Sequence, residues 1–217
     1  MYLSRIALNM RRKDTLEALT SPQRLHAAVE SSFPPSPVGK GRNLWRLDRL
    51  ANGTYLLVLS NRKPDFTHIV EQFGWPGAEQ TWETRDYTDL MDRIRKGQLW
   101  QFRLRANPVH SVKQPEGKGP NNRGKIYAHI TAKQQEEWLI KRAEKYGFRV
   151  SESSFRVVQR EVRRFRRHQG AITLGIATFE GVLEVTDLAL FLRTLTQGMG
   201  RAKAFGCGLL TIMRMAS

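Results

Sequence analysis

Residues 44–59 read LWRLDRLANGTYLLVL, and this stretch decides the fold of the first half of the chain. Two apolar segments, 44–50 and 54–59, flank the dipeptide Asn52-Gly53. Asn-Gly strongly favours a tight hairpin turn, because both residues tolerate the positive φ angles that such a turn requires. The stretch therefore predicts two antiparallel strands joined by a short turn.

The elements around this hairpin complete a recognisable order. Residues 2–8 predict a short buried strand, and Ser21-Pro22 is typical of a helix start, with apolar residues following at helical spacing. Residues 66–73 predict a second helix, and 81–84 a weak strand. The order β-α-β-β-α-β is the ferredoxin-like pattern, in which two helices pack on one face of an antiparallel sheet.

The second half of the chain repeats this order. Its elements are a strand, a helix ended by Gly147, two long strands joined near Gln169-Gly170, a helix and a last strand: 99–106, 136–146, 148–167, 172–185, 188–195 and 209–213. Residues 113–125 are rich in Gly, Pro, Lys and Asn and predict a mobile loop. We therefore expect an α+β protein of two tandem ferredoxin-like domains, 1–95 and 96–217.

The charge of the chain indicates its type of partner. Lys and Arg number 36 against 20 acidic residues, a formal net charge of +16. An excess of this size attracts a polyanion, most often a nucleic acid. A membrane partner is not expected, because there is no apolar stretch of about 18 residues and no signal peptide is evident. The lone Cys207 excludes an internal disulfide and favours a reducing cytoplasm.

Arginines concentrate in residues 156–167. They are Arg156, Arg160, Arg163, Arg164, Arg166 and Arg167. The planar arginine fork suits phosphate oxygens, so we expect this segment to bind nucleic acid, as a helix or as one strand of a hairpin. A solvated charged face is the alternative. On the strand 99–106, alternation also places Arg103 and Arg105 on an exposed side, opposite the core.

A glycine-rich loop lies just before the last strand. Its residues of interest are Gly198, Gly200, Gly206 and Gly208 with Arg201 and Lys203. Glycines allow backbone N–H groups to approach a phosphate closely, and the two cations add charge. The loop lacks the Gly-Lys-Ser/Thr ending of a Walker motif and precedes a strand. It can equally be a structural turn.

The histidines indicate what chemistry is available. None of the five lies at metal-ligand spacing from another, and no acidic cluster suggests a two-metal nuclease. A nuclease without a metal ion would use the 2′-hydroxyl of RNA as the nucleophile, with protein groups that move protons and stabilise charge. His26 is the best placed, because it lies beside the apolar face of its helix with Gln23 and Glu30 on its own side. A surface histidine without a role is the alternative.

Several segments together resemble a known family. They are 1–5 (MYLSR), 25–26 (LH), 44–47 (LWRL), 102–108 (FRLRANP), 179–183 (FEGVL), 198–203 (GMGRAK) and 208–210 (GLL). The chain resembles the CasE/Cse-type CRISPR repeat endoribonucleases, RAMP-superfamily subunits of the Cascade complex. The resemblance implies cleavage of precursor CRISPR RNA at the base of repeat hairpins, without metal or cofactor. It also implies that the protein stays bound to the mature crRNA together with other Cascade subunits.

The resemblance also assigns roles to residues. It implies that His26 is the general acid or base and that residues 156–167 dock in the major groove of the RNA stem. Gln23 stands where family members commonly have tyrosine, and a glutamine donates hydrogen bonds but cannot transfer a proton. Arg24, Lys40 and Arg42 can supply charge. A non-catalytic subunit that binds RNA hairpins, or a basic structural protein that contacts DNA, are the alternatives.

Overall fold

The structure, a computed structural model, describes residues 1–34, 42–112, 125–167 and 170–215. The helices are α1 (Lys13–Thr20), α2 (Pro22–Ser31), α3 (Thr67–Phe73), α4 (Thr88–Met91), α5 (Ala132–Ala143) and α6 (Leu188–Gln197). The strands are β1 (Tyr2–Leu8), β2 (Leu44–Leu50), β3 (Gly53–Ser60), β4 (Trp82–Asp86), β5 (Leu99–Ala106), β6 (Val109–Val112), β7 (Lys125–Ala128), β8 (Phe148–Arg149), β9 (Phe155–Arg167), β10 (Gly170–Val185) and β11 (Leu210–Met213).

The first sheet has the strand order β2-β3-β1-β4, with every pair antiparallel. The predicted hairpin is present: Leu50 pairs with Gly53, and Leu44 pairs with Leu59. Residues of α2 and α3 pack with the strands in one buried core that includes Leu25, Val29 and Ile69. This is the ferredoxin-like order that the sequence predicts.

Helix α1 was not predicted from the sequence. It begins at Lys13, within a polar stretch that is typical of a loop. It buries Thr15, Ala18 and Leu19, and the Thr15 hydroxyl donates a hydrogen bond to the Phe73 carbonyl at 3.0 Å. The helix is therefore fixed by tertiary contacts with α3, which a local pattern does not reveal.

The second sheet has the order β11-β5-β10-β8, and β9 also pairs with β10. Strands β8 and β9 together take the place of a single second strand, so the ferredoxin-like order is repeated. The predicted strand 148–167 is thus interrupted, at a turn in which the Ser154 N–H bonds the Ser151 carbonyl at 3.0 Å. Helix α5 begins earlier than predicted, because Thr131 and Gln134 form a capping box.

Strands β6 and β7 form a small additional hairpin. Of the predicted mobile loop 113–125, only Lys125 lies within the described residues, where it belongs to β7. None of the helices in the described ranges is both long and apolar enough to cross a lipid bilayer. The first sheet ends at Asp86 and the second begins at Leu99, and the domain boundary between residues 95 and 96 stays a prediction.

A buried arginine joins the two halves. Arg46 of β2 is only 1% exposed, and its guanidinium binds the Asp48 carboxylate at 2.7 and 2.8 Å. The same group donates to the carbonyls of Arg103 and Leu209, at 2.7 and 3.1 Å, and to the Thr211 hydroxyl at 2.9 Å. All five guanidinium N–H groups are therefore used, and they tie β2 to the second sheet and to the residue before β11.

Candidate functional site

His26 lies on the wall of a cavity of about 660 Å³ between α2 and the glycine-rich loop. The helix buries Leu25 and Val29, which leaves His26 half-exposed on the neighbouring side, as its position predicts. The cavity is lined by His26, Glu30, Arg42, Asn43, Gly200, Arg201, Ala202, Lys203, Ala204 and Phe205. Two features that the sequence places about 170 residues apart thus share one site.

Hydrogen bonds order one wall of the cavity. The buried Asn43 amide donates to both carboxylate oxygens of Glu30, at 3.4 Å each. The Nδ1 atom of His26 is buried and has no hydrogen-bond partner in the part of the chain that the structure describes. The imidazole is therefore not held by that atom in the way a structural histidine usually is.

The other two residues predicted to act with His26 are placed differently. Gln23 is half-buried one turn before His26 on the same helix. Arg24 is exposed and donates a hydrogen bond to the Glu17 carboxylate at 2.8 Å, so its guanidinium is directed towards α1. It does not belong to the cavity lining. Lys40 lies outside the described residues.

Backbone hydrogen bonds close the glycine-rich loop and attach it to β5. The Met199 N–H bonds the Gly208 carbonyl at 2.8 Å, and the Gly208 N–H bonds the Arg105 carbonyl at 2.6 Å. Gly206 has φ +76°, and a Cβ there would lie 2.6 Å from the Trp45 ring. Packing alone thus explains part of the glycine pattern, while the opposite side of the loop faces His26.

Lys203 is the half-buried cation of this loop. Its ammonium donates a hydrogen bond to the Gln197 carbonyl at 2.7 Å. Burial lowers the pKa of Lys203, and the nearby charge of Arg42 lowers it further. Arg201, two residues earlier, is exposed at the rim of the same cavity. The loop therefore brings two cations towards α2.

The arginine segment is a strand of a long hairpin, because β9 pairs with β10 from Arg167–Gly170 to Phe155–Gly181. This pairing decides against the helical alternative. Arg156, Arg160 and Arg164 are exposed. We call these three side chains, with the exposed Val158 and Val162 between them, the outer face of β9. Arg166 and Arg167 end the strand, but their side chains lie outside what the structure describes.

Arg163 points to the other side of the strand. It binds the Glu161 carboxylate at 3.0 Å and the Leu19 carbonyl at 3.0 Å. Leu19 lies in the last turn of α1, where carbonyl groups lack helical partners. Arg163 therefore connects the second sheet with the first half of the chain and does not belong to the outer face.

The expectation that Arg103 and Arg105 are exposed is wrong. Arg105 is 4% exposed and forms an ion pair with Glu161, while Arg103 binds Asp48 at 3.1 Å and also pairs with Glu180. Alternation along β5 correctly separates these arginines from Phe102 and Leu104, but β2 and β9 supply carboxylates that cover the other side. Burial lowers the pKa of Arg105, although the charge of Glu161 opposes this shift.

One pair of side chains was missed from the sequence. His110 of β6 and His129, just after β7, have ring centroids 4.7 Å apart, and Tyr127 stacks on His110 at 6.0 Å. Nineteen positions separate the two histidines, so no local spacing reveals them. Within the described ranges, no group of three or more His, Cys, Asp or Glu side chains is arranged to hold a metal ion.

These observations define a basic protein of two ferredoxin-like halves that share a histidine-containing cavity. The chain belongs to the CRISPR-associated protein family, whose model matches residues 1–214, and the predicted CasE/Cse type is confirmed. It is 29% identical over 225 residues to the CRISPR-associated endoribonuclease Cse3 of Thermus thermophilus, covering 98% of this chain and 99% of that protein. It is 30% identical over 195 residues to the CRISPR system Cascade subunit CasE of Escherichia coli, covering 87% and 90%.

A solved structure agrees with this assignment. The structure of Thermus thermophilus Cse3 bound to an RNA that represents a pre-cleavage complex superposes with a TM-score of 0.78 and 28% sequence identity. The match covers 98% of each chain. The similarity therefore extends over both ferredoxin-like halves.

Proposed function

We propose that this protein is a metal-independent endoribonuclease that cleaves precursor CRISPR RNA at the base of repeat hairpins. It then stays bound to the mature crRNA as a Cascade subunit in the cytoplasm. One observation carries the proposal: His26 and the cationic glycine-rich loop, from opposite halves of the chain, line the same cavity. The endoribonuclease Cse3 and the Cascade subunit CasE, to which the chain is similar, support it.

The chemistry uses the RNA as its own nucleophile. The 2′-hydroxyl next to the scissile bond attacks phosphorus, and the 5′-oxygen of the following nucleotide leaves. A phosphorane transition state carries extra negative charge, so nearby cations stabilise it. Arg42, Arg201 and Lys203 supply that charge at the cavity, and His26 transfers a proton. No metal ion or cofactor takes part in this scheme.

The outer face of β9 holds the RNA stem. Arg156, Arg160 and Arg164 are exposed along one side of a strand, where they can follow the phosphates of a helical duplex. The major groove of A-form RNA is deep and narrow, so shape and phosphate contacts dominate over base reading. The RNA stem is then bound at the outer face of β9, whereas the bond is broken in the cavity that contains His26.

Incubation of the purified protein with a repeat hairpin RNA in EDTA tests the mechanism. We expect cleavage by the wild type, none by His26→Ala, and binding without cleavage when the nucleotide upstream of the cut is 2′-deoxy. His110→Ala is the matched control, because His110 is exposed on the β6–β7 hairpin. Loss of cleavage in EDTA, or full activity of His26→Ala, would refute this mechanism.

Gln23 favours one other function, a non-catalytic subunit that binds the RNA hairpin. The residue stands one turn before His26 and cannot move a proton as tyrosine does. In that case the wild type binds the hairpin tightly and releases no product under any buffer condition. The same incubation therefore distinguishes the two functions.

A further inference from the structure

The proposed reaction requires two proton transfers, and the cavity must supply a group for each. One group takes the proton of the attacking 2′-hydroxyl, and another gives a proton to the leaving 5′-oxygen. Gln23 can do neither, and the guanidinium groups of Arg42 and Arg201 do not release protons in proteins. Among the described lining residues, three side chains can exchange a proton: His26, Glu30 and Lys203.

Glu30 is poorly suited to face a phosphate. The Asn43 amide donates to both of its carboxylate oxygens, so each already has a hydrogen-bond partner. A carboxylate also repels a phosphate that becomes more negative during the reaction. This leaves His26 on the first half of the chain and Lys203 on the second.

The position of Lys203 is imposed by the loop. Ala202, directly before it, has φ +61°, which only glycine adopts readily, and this marks a backbone held by its surroundings. The hydrogen bond from the ammonium to the Gln197 carbonyl, at 2.7 Å, fixes the side chain at the cavity wall. An ammonium has three N–H donors, and this bond uses one of them.

The surroundings also prepare Lys203 to give up a proton. Burial lowers its pKa from the ordinary value, and the positive charge of Arg42 across the cavity acts in the same direction. An acid catalyst works best when its pKa lies near the operating pH. An ordinary lysine, with a pKa of about 10.4, holds its proton too strongly for this role. His26 is the remaining side chain of the described lining that can exchange a proton, and it is left to act as the base.

We propose that Lys203 protonates the 5′-oxygen that leaves, while His26 accepts the proton of the 2′-hydroxyl. This inference rests on the proposed endoribonuclease function. In the step, a bond forms between O2′ and phosphorus, and the bond between phosphorus and O5′ breaks. One proton passes from O2′ to His26 and one from Lys203 to O5′. The products are a 2′,3′-cyclic phosphate and a 5′-hydroxyl, and water returns both side chains to their starting protonation states.

A substrate with sulfur in place of the scissile 5′-oxygen tests the proposal, because a thiolate leaves without protonation. Lys203→Arg keeps the charge but removes the usable acid. We expect it to cleave ordinary hairpin RNA at least about 100-fold more slowly than the wild type in single turnover. On the 5′-thio RNA its rate should return to within a few-fold of the wild type, whereas His26→Ala should stay slow on both substrates.

Control variants separate this role from others. Lys141→Arg, on the exposed side of α5, should match the wild type on both RNAs. Equal slowing of Lys203→Arg on both RNAs would show a purely electrostatic role and overturn the proposal, as would an undiminished rate on ordinary RNA. Rescue of Glu30→Gln by 5′-thio RNA would assign the acid to Glu30 instead. Absence of cleavage of either RNA by the wild type would refute the proposed function itself.

If Lys203→Arg fails to bind a 2′-deoxy hairpin, its slow cleavage does not report on proton transfer. In that case the pH–rate profile of the wild type tests the role of Lys203 as the acid. The cleavage rate on ordinary RNA should fall at alkaline pH, as the acid loses its proton. That decline should disappear with the 5′-thio RNA. A decline of equal size on both substrates would overturn the proposal.

Discussion

The outer face of β9 allows a quantitative prediction about salt. Arg156, Arg160 and Arg164 are exposed along the strand, and the neighbouring Arg163 is held by Glu161 and Leu19. Replacing the three exposed arginines with alanine removes up to three phosphate contacts. Because the strand pairing does not depend on these side chains, the fold should be retained.

The size of the effect follows from counterion release. Each phosphate contact contributes roughly 0.7 to 0.9 to the slope of log affinity against log salt, so three contacts contribute about 2 to 3. Between about 50 and 200 mM salt, a fourfold change, a slope difference of about 2.5 corresponds to a factor of about 30. The loss of affinity in the triple variant should therefore be about 30-fold larger at the lower salt concentration.

Fluorescence anisotropy with a labelled 2′-deoxy hairpin measures this slope without cleavage. The matched control replaces Arg5, Arg85 and Arg149, which are also exposed, and changes the net charge by the same amount. At saturating protein, the triple variant of β9 should cleave ordinary RNA within about threefold of the wild type, since the cavity is intact. Equal slopes for the two triple variants would refute the placement of the stem on β9.

Three further predictions concern the joint between the halves. Arg46→Met should lower the free energy of unfolding by about 3 kcal/mol, because the buried Asp48 keeps only Arg103 as a cationic partner and two carbonyls lose this donor; a urea-measured loss below about 1 kcal/mol would contradict this. Gly206→Ala should reduce both stability and cleavage, because the new Cβ meets the Trp45 ring at 2.6 Å, while Gly77→Ala, with open space around its Cβ, should change neither. Burial opposes ionisation of Glu161, but the charges of Arg105 and Arg163 outweigh it and lower the pKa of this carboxylate. The stability that Glu161 contributes is therefore present above the ordinary pKa of 4.5 and is lost as the pH falls through the lower pKa of the folded state. The difference in unfolding free energy between wild type and Glu161→Gln should therefore shrink below that pH, and a constant difference would count against the ion pairs.

Local patterns in the sequence account for most of the fold. The Asn52-Gly53 turn fixes the register of β2 with β3, because turn geometry and alternation both act over a few residues. Helix α1 and the break between β8 and β9 could not be predicted in this way. Helix α1 is stabilised by contacts with α3, among them the hydrogen bond from Thr15 to Phe73. The break is stabilised by a turn whose hydrogen bonds depend on Ser151 and Ser154.

Less of the candidate site than of the fold could be predicted from the sequence. Helical position made His26 the best placed of the histidines, and the resemblance to the family gave it a catalytic role. Composition indicated the glycine-rich loop, but the meeting of the two depends on how the two halves pack. Alternation along β5 assigned Arg103 and Arg105 to one face and gave no sign that Asp48 and Glu161 would cover it. Alternation along a strand shows which residues share a face. Which other element packs against that face depends on the tertiary structure.

The placement of the ion pairs explains why the cavity depends on both halves. Arg46 ties β2 to the second sheet, and Arg163 ties β9 to the last turn of α1, which directly precedes α2 and His26. The outer face of β9, by contrast, lies within the second half alone. A change that loosens the joint alters the distance between His26 and the glycine-rich loop and leaves the outer face intact. Cleavage should therefore be more sensitive than stem binding to the buried network, because the reacting groups must be held within a fraction of an ångström whereas phosphate contacts tolerate movement.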